Sequence, residues 1–383
     1  MNTSRMRRLL AGLILAAALF TGATASADAA PSRKKAIWGP TMVDGKSQFP
    51  IYRDLGVGIY QMAVSWADTA ASKPANPLDP SDPAYTWNPE LDFAVREAKR
   101  YKIAVSLMVL RTPDWANGGR GQTVPPSSPQ DYAKFVEAVA RRYPTVRLFM
   151  VWGEPIRRPN YALSAGKPAP NYYAQRGASA GKRLPALNAA QRRDVRGYAE
   201  LVDATYGRLK KRSRKNRIIG GNTTTSGEID PFNWVKYMRL KNGKPPRMDM
   251  FGHNPFGTRG PDLKKDQILV GTADFSDLDI FVPWIDRWLG RSGRNRKLPI
   301  FISEYTAPTD VPSYEFPYHV TRKVQAKWLT DGLRITRRWS RIYTLGWIGL
   351  RDSPVRADGQ EARNGLIDAR GVKKPAYKAY KRG

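Results

Sequence analysis

Leu148-Phe149-Met150-Val151-Trp152-Gly153-Glu154-Pro155 is an apolar run that stops at a glutamate. It is short enough for one strand. Its unbroken apolar character is what a strand covered on both faces of a parallel sheet requires.

The same kind of run recurs along the chain. With Arg147–Trp152 there are eight, the others being Ala36–Gly39, Gly58–Val64, Ile103–Val109, Arg217–Gly221, Met248–His253, Pro299–Ser303 and Ile342–Trp347. Helical patterns separate them. Pro129–Tyr143 carries Tyr132, Phe135, Val136 and Val139 at the spacing of one buried helix face, with Ser128 as N-cap and Pro129 at the first helical position. Leu91–Tyr101, Arg192–Lys211, Pro231–Leu240, Asp277–Leu289 and His319–Trp339 read in the same way. This alternation predicts an α/β fold, a closed (β/α)8 TIM barrel. The rival, an open doubly wound sheet, usually carries a Gly-rich turn after its first strand, and none is present.

Residues 1–27 stand apart. Arg5, Arg7 and Arg8 precede the apolar run Leu9–Phe20, and Ala25-Ser26-Ala27 follows as a small-x-small cleavage site. That is the anatomy of a secretory signal peptide, with cleavage near Ala27 and secretion as the expectation. Residues 28–383 are then read as one barrel domain. No later segment is long and apolar enough for a transmembrane helix.

The chain has no cysteine and two histidines, His253 and His319. Disulfides, thiolate metal sites and cysteine nucleophiles are therefore excluded, and a multi-histidine metal site is not expected. No feature calls for a cofactor. The formal charge is +31, of which residues 1–27 hold three arginines. Such a field attracts polyanions: an acidic glycan, an anionic cell envelope, or simply counterions around an Arg-rich surface. No helix-turn-helix, zinc-finger or RNP-type signature points to specific nucleic acid. The basic clusters Arg208–Arg217 and Arg291–Lys297 read as exposed helix ends and loops.

The loops Asp68–Asn88, Arg111–Ser127 and Pro155–Gln191 are long, and the last holds Tyr161, Tyr172 and Tyr173. Long loops without structure of their own are usually functional. In a parallel barrel the active face lies at the C-terminal strand ends. There the fourth run ends in Glu154, and the seventh ends Phe301-Ile302-Ser303-Glu304-Tyr305. Cleaving a glycosidic bond needs two carboxyl groups, one to protonate the departing oxygen and one to attack the anomeric carbon or activate water. Strands four and seven lie across the barrel mouth from one another, so Glu154 and Glu304 are the candidate pair.

Here the chain resembles the clan A glycoside hydrolases, which include the cellulase-like families and the β-xylosidase-like family thirty-nine. Members carry Trp-Asn-Glu-Pro at the end of strand four and a second glutamate at the end of strand seven. Trp152-Gly153-Glu154-Pro155 and Ser303-Glu304-Tyr305 match those places. Thr112-Pro113-Asp114-Trp115-Ala116, His253-Asn254-Pro255-Phe256, Trp347, Gly365-Leu366-Ile367-Asp368 and Lys374-Pro375-Ala376-Tyr377 resemble further motifs in the same order. The resemblance implies a retaining hydrolase of a poly- or oligosaccharide, with Glu154 as acid/base and Glu304 as nucleophile. It implies that Trp347 floors the sugar site. Trp66 and Trp115 then stack on sugars or simply pack the barrel. His253 and Asn254 bind a hydroxyl or the nucleophile, with a structural role as the alternative for the histidine. Asn222 stands at the fifth exit, and Tyr305 is expected to line the cleft.

Two positions depart from the pattern. Gly153 replaces the asparagine that binds the sugar 2-hydroxyl, and Gln61 replaces an arginine that supports the nucleophile. Without that cation the Glu304 pKa is expected to drift upward, and repulsion from Glu304 is expected to raise that of Glu154. These departures also motivate a catalytically silent, glycan-binding barrel. The charge alone motivates a polyanion binder.

Overall fold

Each apolar run forms a strand: β1 (Ser32–Trp38), β2 (Val57–Ser65), β3 (Ala104–Leu110), β4 (Leu148–Val151), β5 (Arg217–Thr224), β6 (Met250–Asn254), β7 (Ile300–Tyr305) and β8 (Ile342–Ile348). The computed structural model describes residues 32–167, 169, 172–174, 184–290, 297–313, 315–353 and 362–383. The segment read as a signal peptide and most of the Arg291–Lys297 cluster lie outside the described residues. All eight strands pair in parallel, and β1 pairs with both β2 and β8, so the sheet closes into a barrel.

A helix follows each strand: α1 (Phe49–Asp54), α2 (Pro89–Arg100), α3 (Pro129–Arg142), α4 (Ala189–Arg212), α5 (Pro231–Tyr237), α6 (Leu278–Leu289), α7 (Arg322–Arg338) and α8 (Pro375–Arg382). Their ends follow capping chemistry. Asn88 accepts from Glu90 N at α2, and Asn188 and Gln191 form a reciprocal capping box at α4. Ser128 and Pro129 hold the expected positions at α3, but the serine side chain makes no cap hydrogen bond. The expected helix start at His319 moves to Arg322, because Val320 bridges to Thr309 and Thr321 caps the helix by accepting from Val324 N.

Two apolar layers result. Ala36, Ile59, Leu148, Met150, Ile219 and Phe301 are among the side chains that fill the barrel interior. A larger layer packs between barrel and helices, and Trp152, Trp234, Tyr305 and Trp347 belong to it. At the barrel base, Lys35 Nζ is buried and donates to the carbonyls of Leu55 at 2.6 Å and Tyr380 at 3.0 Å, tying β1 to α8. Among the described residues no helix is long and apolar enough to cross a membrane.

Candidate active site

The mouth of the barrel is shaped by irregular strand exits. β5 carries one extra residue against β6, at Gly221-Asn222, and both are left-handed, with φ of 84° and 43°. β7 carries one extra residue against β8 between Ile302 and Tyr305. An extra residue breaks the strict alternation of faces and re-aims the side chain beside it. At β7 this turns both Ser303 and Glu304 toward the mouth and Tyr305 outward. After β4, Trp152 and Glu154 are left-handed, with φ of 62° and 42°. Such backbone costs about 1–2 kcal/mol per non-glycine residue, and strain of this kind concentrates at functional sites.

Hydrogen bonds hold these exits together. Asn254, at the end of β6, donates from Nδ2 to Glu154 Oε1 at 3.0 Å. Ser303 Oγ donates to Asn254 Oδ1 at 2.6 Å and lies 3.0 Å from Asn222 Oδ1. Asn222 Nδ2 donates to the Trp152 carbonyl at 2.9 Å. The other Glu154 oxygen accepts from Arg157 Nη1 at 3.1 Å and Asn160 Nδ2 at 3.2 Å. Three N–H donors thus converge on Glu154, which is only 8% exposed.

The two departures have a structural basis. Gln61 Nε2 donates to the Ser303 carbonyl at 2.7 Å, bracing the backbone that carries Glu304. Gly346 makes room for this, since a Cβ there would lie 2.0 Å from Ser303 O and 2.6 Å from Gln61 Nε2. At Gly153 a Cβ would stand 2.8 Å from Met108 Sδ, so the thioether fills the space a side chain would need.

Glu154 and Glu304 line one cleft of about 450 Å³, together with Arg157, Glu228 and Glu315. Tyr173, Phe256 and Phe316 form its aromatic wall, the last two with rings 5.0 Å apart. Tyr173 is held on a short turn by its neighbour Tyr172, whose hydroxyl donates to Asp274 Oδ2 at 2.7 Å. Glu304 keeps part of its surface open to the cleft but lies deep within it. Burial and then the charge of Glu154 push its carboxyl well above the usual range. Glu315 acts in the same sense, and Arg157 opposes it. The upward drift expected of Glu304 is thus present, with burial as its first cause. Among the described residues no group of three or more His, Cys, Asp or Glu side chains could hold a metal ion.

Of the residues read from the sequence, Glu154, Glu304, Asn254 and Asn222 come together here. The rest lie elsewhere. Trp347 is 0% exposed and donates from Nε1 to the Asn364 carbonyl, so its ring offers no sugar floor; Ile348, on the opposite face of β8, lines the cleft instead. Trp66 and Trp115 pack edge to face, with centroids 5.4 Å apart, and tie the loops after β2 and β3 through Trp115 Nε1 and the Ala70 carbonyl. His253 is fully buried. Nε2 lies 2.9 Å from the Ala273 carbonyl and Nδ1 2.8 Å from Thr223 Oγ1, which fixes a neutral Nε2–H imidazole with no nitrogen left for a sugar. Tyr305 is buried against Phe275 and Trp347. Sequence reasoning passed over Arg157, Asn160, Glu228, Glu315, Phe256 and Phe316 as site residues. Phe256 stood within the His253-Asn254-Pro255-Phe256 motif, and Glu228 follows the end of β5 by four residues.

Sequence comparison with protein-family models and with characterised proteins finds no match. Solved structures do match. A family 39 glycoside hydrolase from the gut symbiont Bacteroides cellulosilyticus WH2 superposes with a TM-score of 0.59 at 15% identity, over 92% of this chain and 63% of that one. A glucosidase from Croceicoccus marinus gives 0.60 at 13% identity, over 92% and 65%. A monomeric beta-xylosidase from Caulobacter crescentus CB15 gives 0.54 at 17%, over 91% and 67%. This chain thus spans less than two thirds of the first two proteins. At these identities the likeness is one of fold: the chain has a closed (β/α)8 barrel like theirs.

Proposed function

We propose that this chain is a secreted glycoside hydrolase cleaving an O-glycosidic bond of a poly- or oligosaccharide by double displacement. The observation that carries the reading is a pair of glutamates from β4 and β7 lining one cleft at the barrel mouth, close enough for the charge of one to act on the other. In the first step the Glu304 carboxylate attacks the anomeric carbon. An ester bond forms, the glycosidic C–O bond breaks, and the leaving oxygen takes the proton of Glu154. Water then attacks the same carbon and gives its proton to Glu154, and the ester bond breaks to return the Glu304 carboxylate. Asn254 positions Glu154, and Gln61 positions the backbone of Glu304. The aromatic wall supports binding to the apolar faces of sugar rings. The charge of the exterior is read as attraction to an anionic cell envelope, not as recognition of the bond that is cut.

The test is to screen neutral, amino and acidic oligosaccharides and to follow the anomer first released by NMR. Retention of configuration is expected, with no release by the Glu154→Gln/Glu304→Gln double variant. Cleavage by that variant would remove the assignment. A second reading, a silent glycan-binding barrel, is favoured by one observation: no hydrogen-bond donor among the described residues stabilises Glu304 as a carboxylate. Tight binding of a glycan that is never cleaved would support it.

A further inference from the structure

The cleft contradicts the charge of the molecule that contains it. The chain has 64 basic and 33 acidic residues, yet Glu154, Glu228, Glu304 and Glu315 meet at the cleft against Arg157. That guanidinium is engaged: it donates to Glu154, and the charges of Glu228 and Glu315 also act on it. Glu304 accepts no hydrogen bond among the described residues, and Gln61, the polar side chain bracing its backbone, is neutral. Among the described residues the site therefore lacks one positive charge, at the carboxyl that must be ionised to attack. An anionic sugar would worsen this imbalance, and a neutral sugar would leave it.

We propose that the glycan cleaved here carries free amino groups, and that the ring seated over Glu304 is a 2-amino-2-deoxy sugar. The inference rests on reading the cleft as a glycosidase site. A carboxyl that attacks C1 stands next to the substituent on C2, so a 2-ammonium group is presented to Glu304. There it supplies the absent cation and favours the ionised Glu304 carboxyl that the first step requires. Tyr173, Phe256 and Phe316 give the ammonium and the ring an aromatic wall. The positive exterior does not prevent this. Exposed charges are screened over about 8 Å at physiological salt, so the carboxylates lining the cleft dominate inside it.

The experiment compares four tetramers at equal concentration: β-1,4-linked glucosamine, its fully N-acetylated form, glucose, and a uronic acid. Calorimetry on the Glu154→Gln variant measures binding, and product release by the unaltered protein measures cleavage. The glucosamine tetramer is expected to bind at least about tenfold more tightly than the other three and to be the one cleaved. Glu228→Gln, which keeps an acceptor for the Arg158 N–H, is expected to weaken that binding severalfold and leave the glucose tetramer unaffected. Equal or tighter binding of the acetylated or uronic tetramer overturns the proposal. Cleavage of one of those with no preference for the amine leaves the glycosidase reading standing and removes the amino-sugar assignment. Preferential binding of the amine with no cleavage of any tetramer does the reverse.

Discussion

The exits of β4 and β7 begin alike, as apolar strands that end in glutamate, and they end differently. At the first, the chain turns left-handed and folds back so that Arg157 and Asn160 reach Glu154, while Asn254 reaches it from β6. At the second, a one-residue bulge drives Glu304 into the cleft, where no described residue donates to it. Identical side chains thus acquire opposite surroundings from a few backbone angles, and surroundings, not residue type, set how readily a carboxyl ionises.

Exchanging each glutamate for glutamine tests this difference most severely. Both single variants are expected to lose about 10³-fold or more in kcat/KM on the best substrate. Their stabilities should part. Glu154→Gln turns an amide N–H toward existing donors and should lower stability by about 1–3 kcal/mol. Glu304→Gln should raise it near neutral pH. The folded Glu304 carboxyl titrates above its unfolded value, so its contribution is fully present at low pH and is lost as pH rises. The gain from Glu304→Gln should therefore grow with pH. Denaturant midpoints between pH 4 and 8 measure both effects, and parallel curves for the two variants would erase the comparison.

β6, one of the two strands between these exits, supplies the next effect. His253 adjoins Asn254, and burial pushes its imidazole down to about 4. Above pH 6.5 the ring is neutral in both folded and unfolded chains. Below that, the unfolded chain takes up a proton that the folded one refuses. Stability should fall from about pH 6.5 to about pH 4, by roughly 3 kcal/mol in all. His253→Gln should remove that slope whatever it does to stability at pH 7, and an unchanged slope would assign the pH dependence elsewhere.

These contrasts also explain what the sequence could reveal. The eight strands were legible because a strand buried on both faces must be apolar throughout, and the catalytic candidates because an acid at the end of such a run is conspicuous. α1 escaped notice, since six residues carry too little periodicity. Trp347 was misleading because its facing depends on the alternation of β8, which leaves Ile348 in the cleft. Arg157 and Asn160 bear on Glu154 only because the backbone at Trp152 and Glu154 turns left-handed, and neither residue type announces that conformation.

The smallest effect compares the helix entering the first exit with the helix leaving the second. Ser128 precedes α3, which leads into β4, and its side chain makes no cap hydrogen bond. Thr321 precedes α7, which follows β7, and its hydroxyl accepts from Val324 N at 3.2 Å. An N-cap side chain stabilises by satisfying an N–H that the first helical turn leaves open, so the benefit follows the bond and not the residue type. Thr321→Ala should therefore cost about 1 kcal/mol in a urea titration, and Ser128→Ala should stay within about 0.5 kcal/mol of the unaltered protein. Equal losses at both positions would mean that the serine caps its helix in solution, and that the two sides of the barrel are held by the same chemistry at their helix ends.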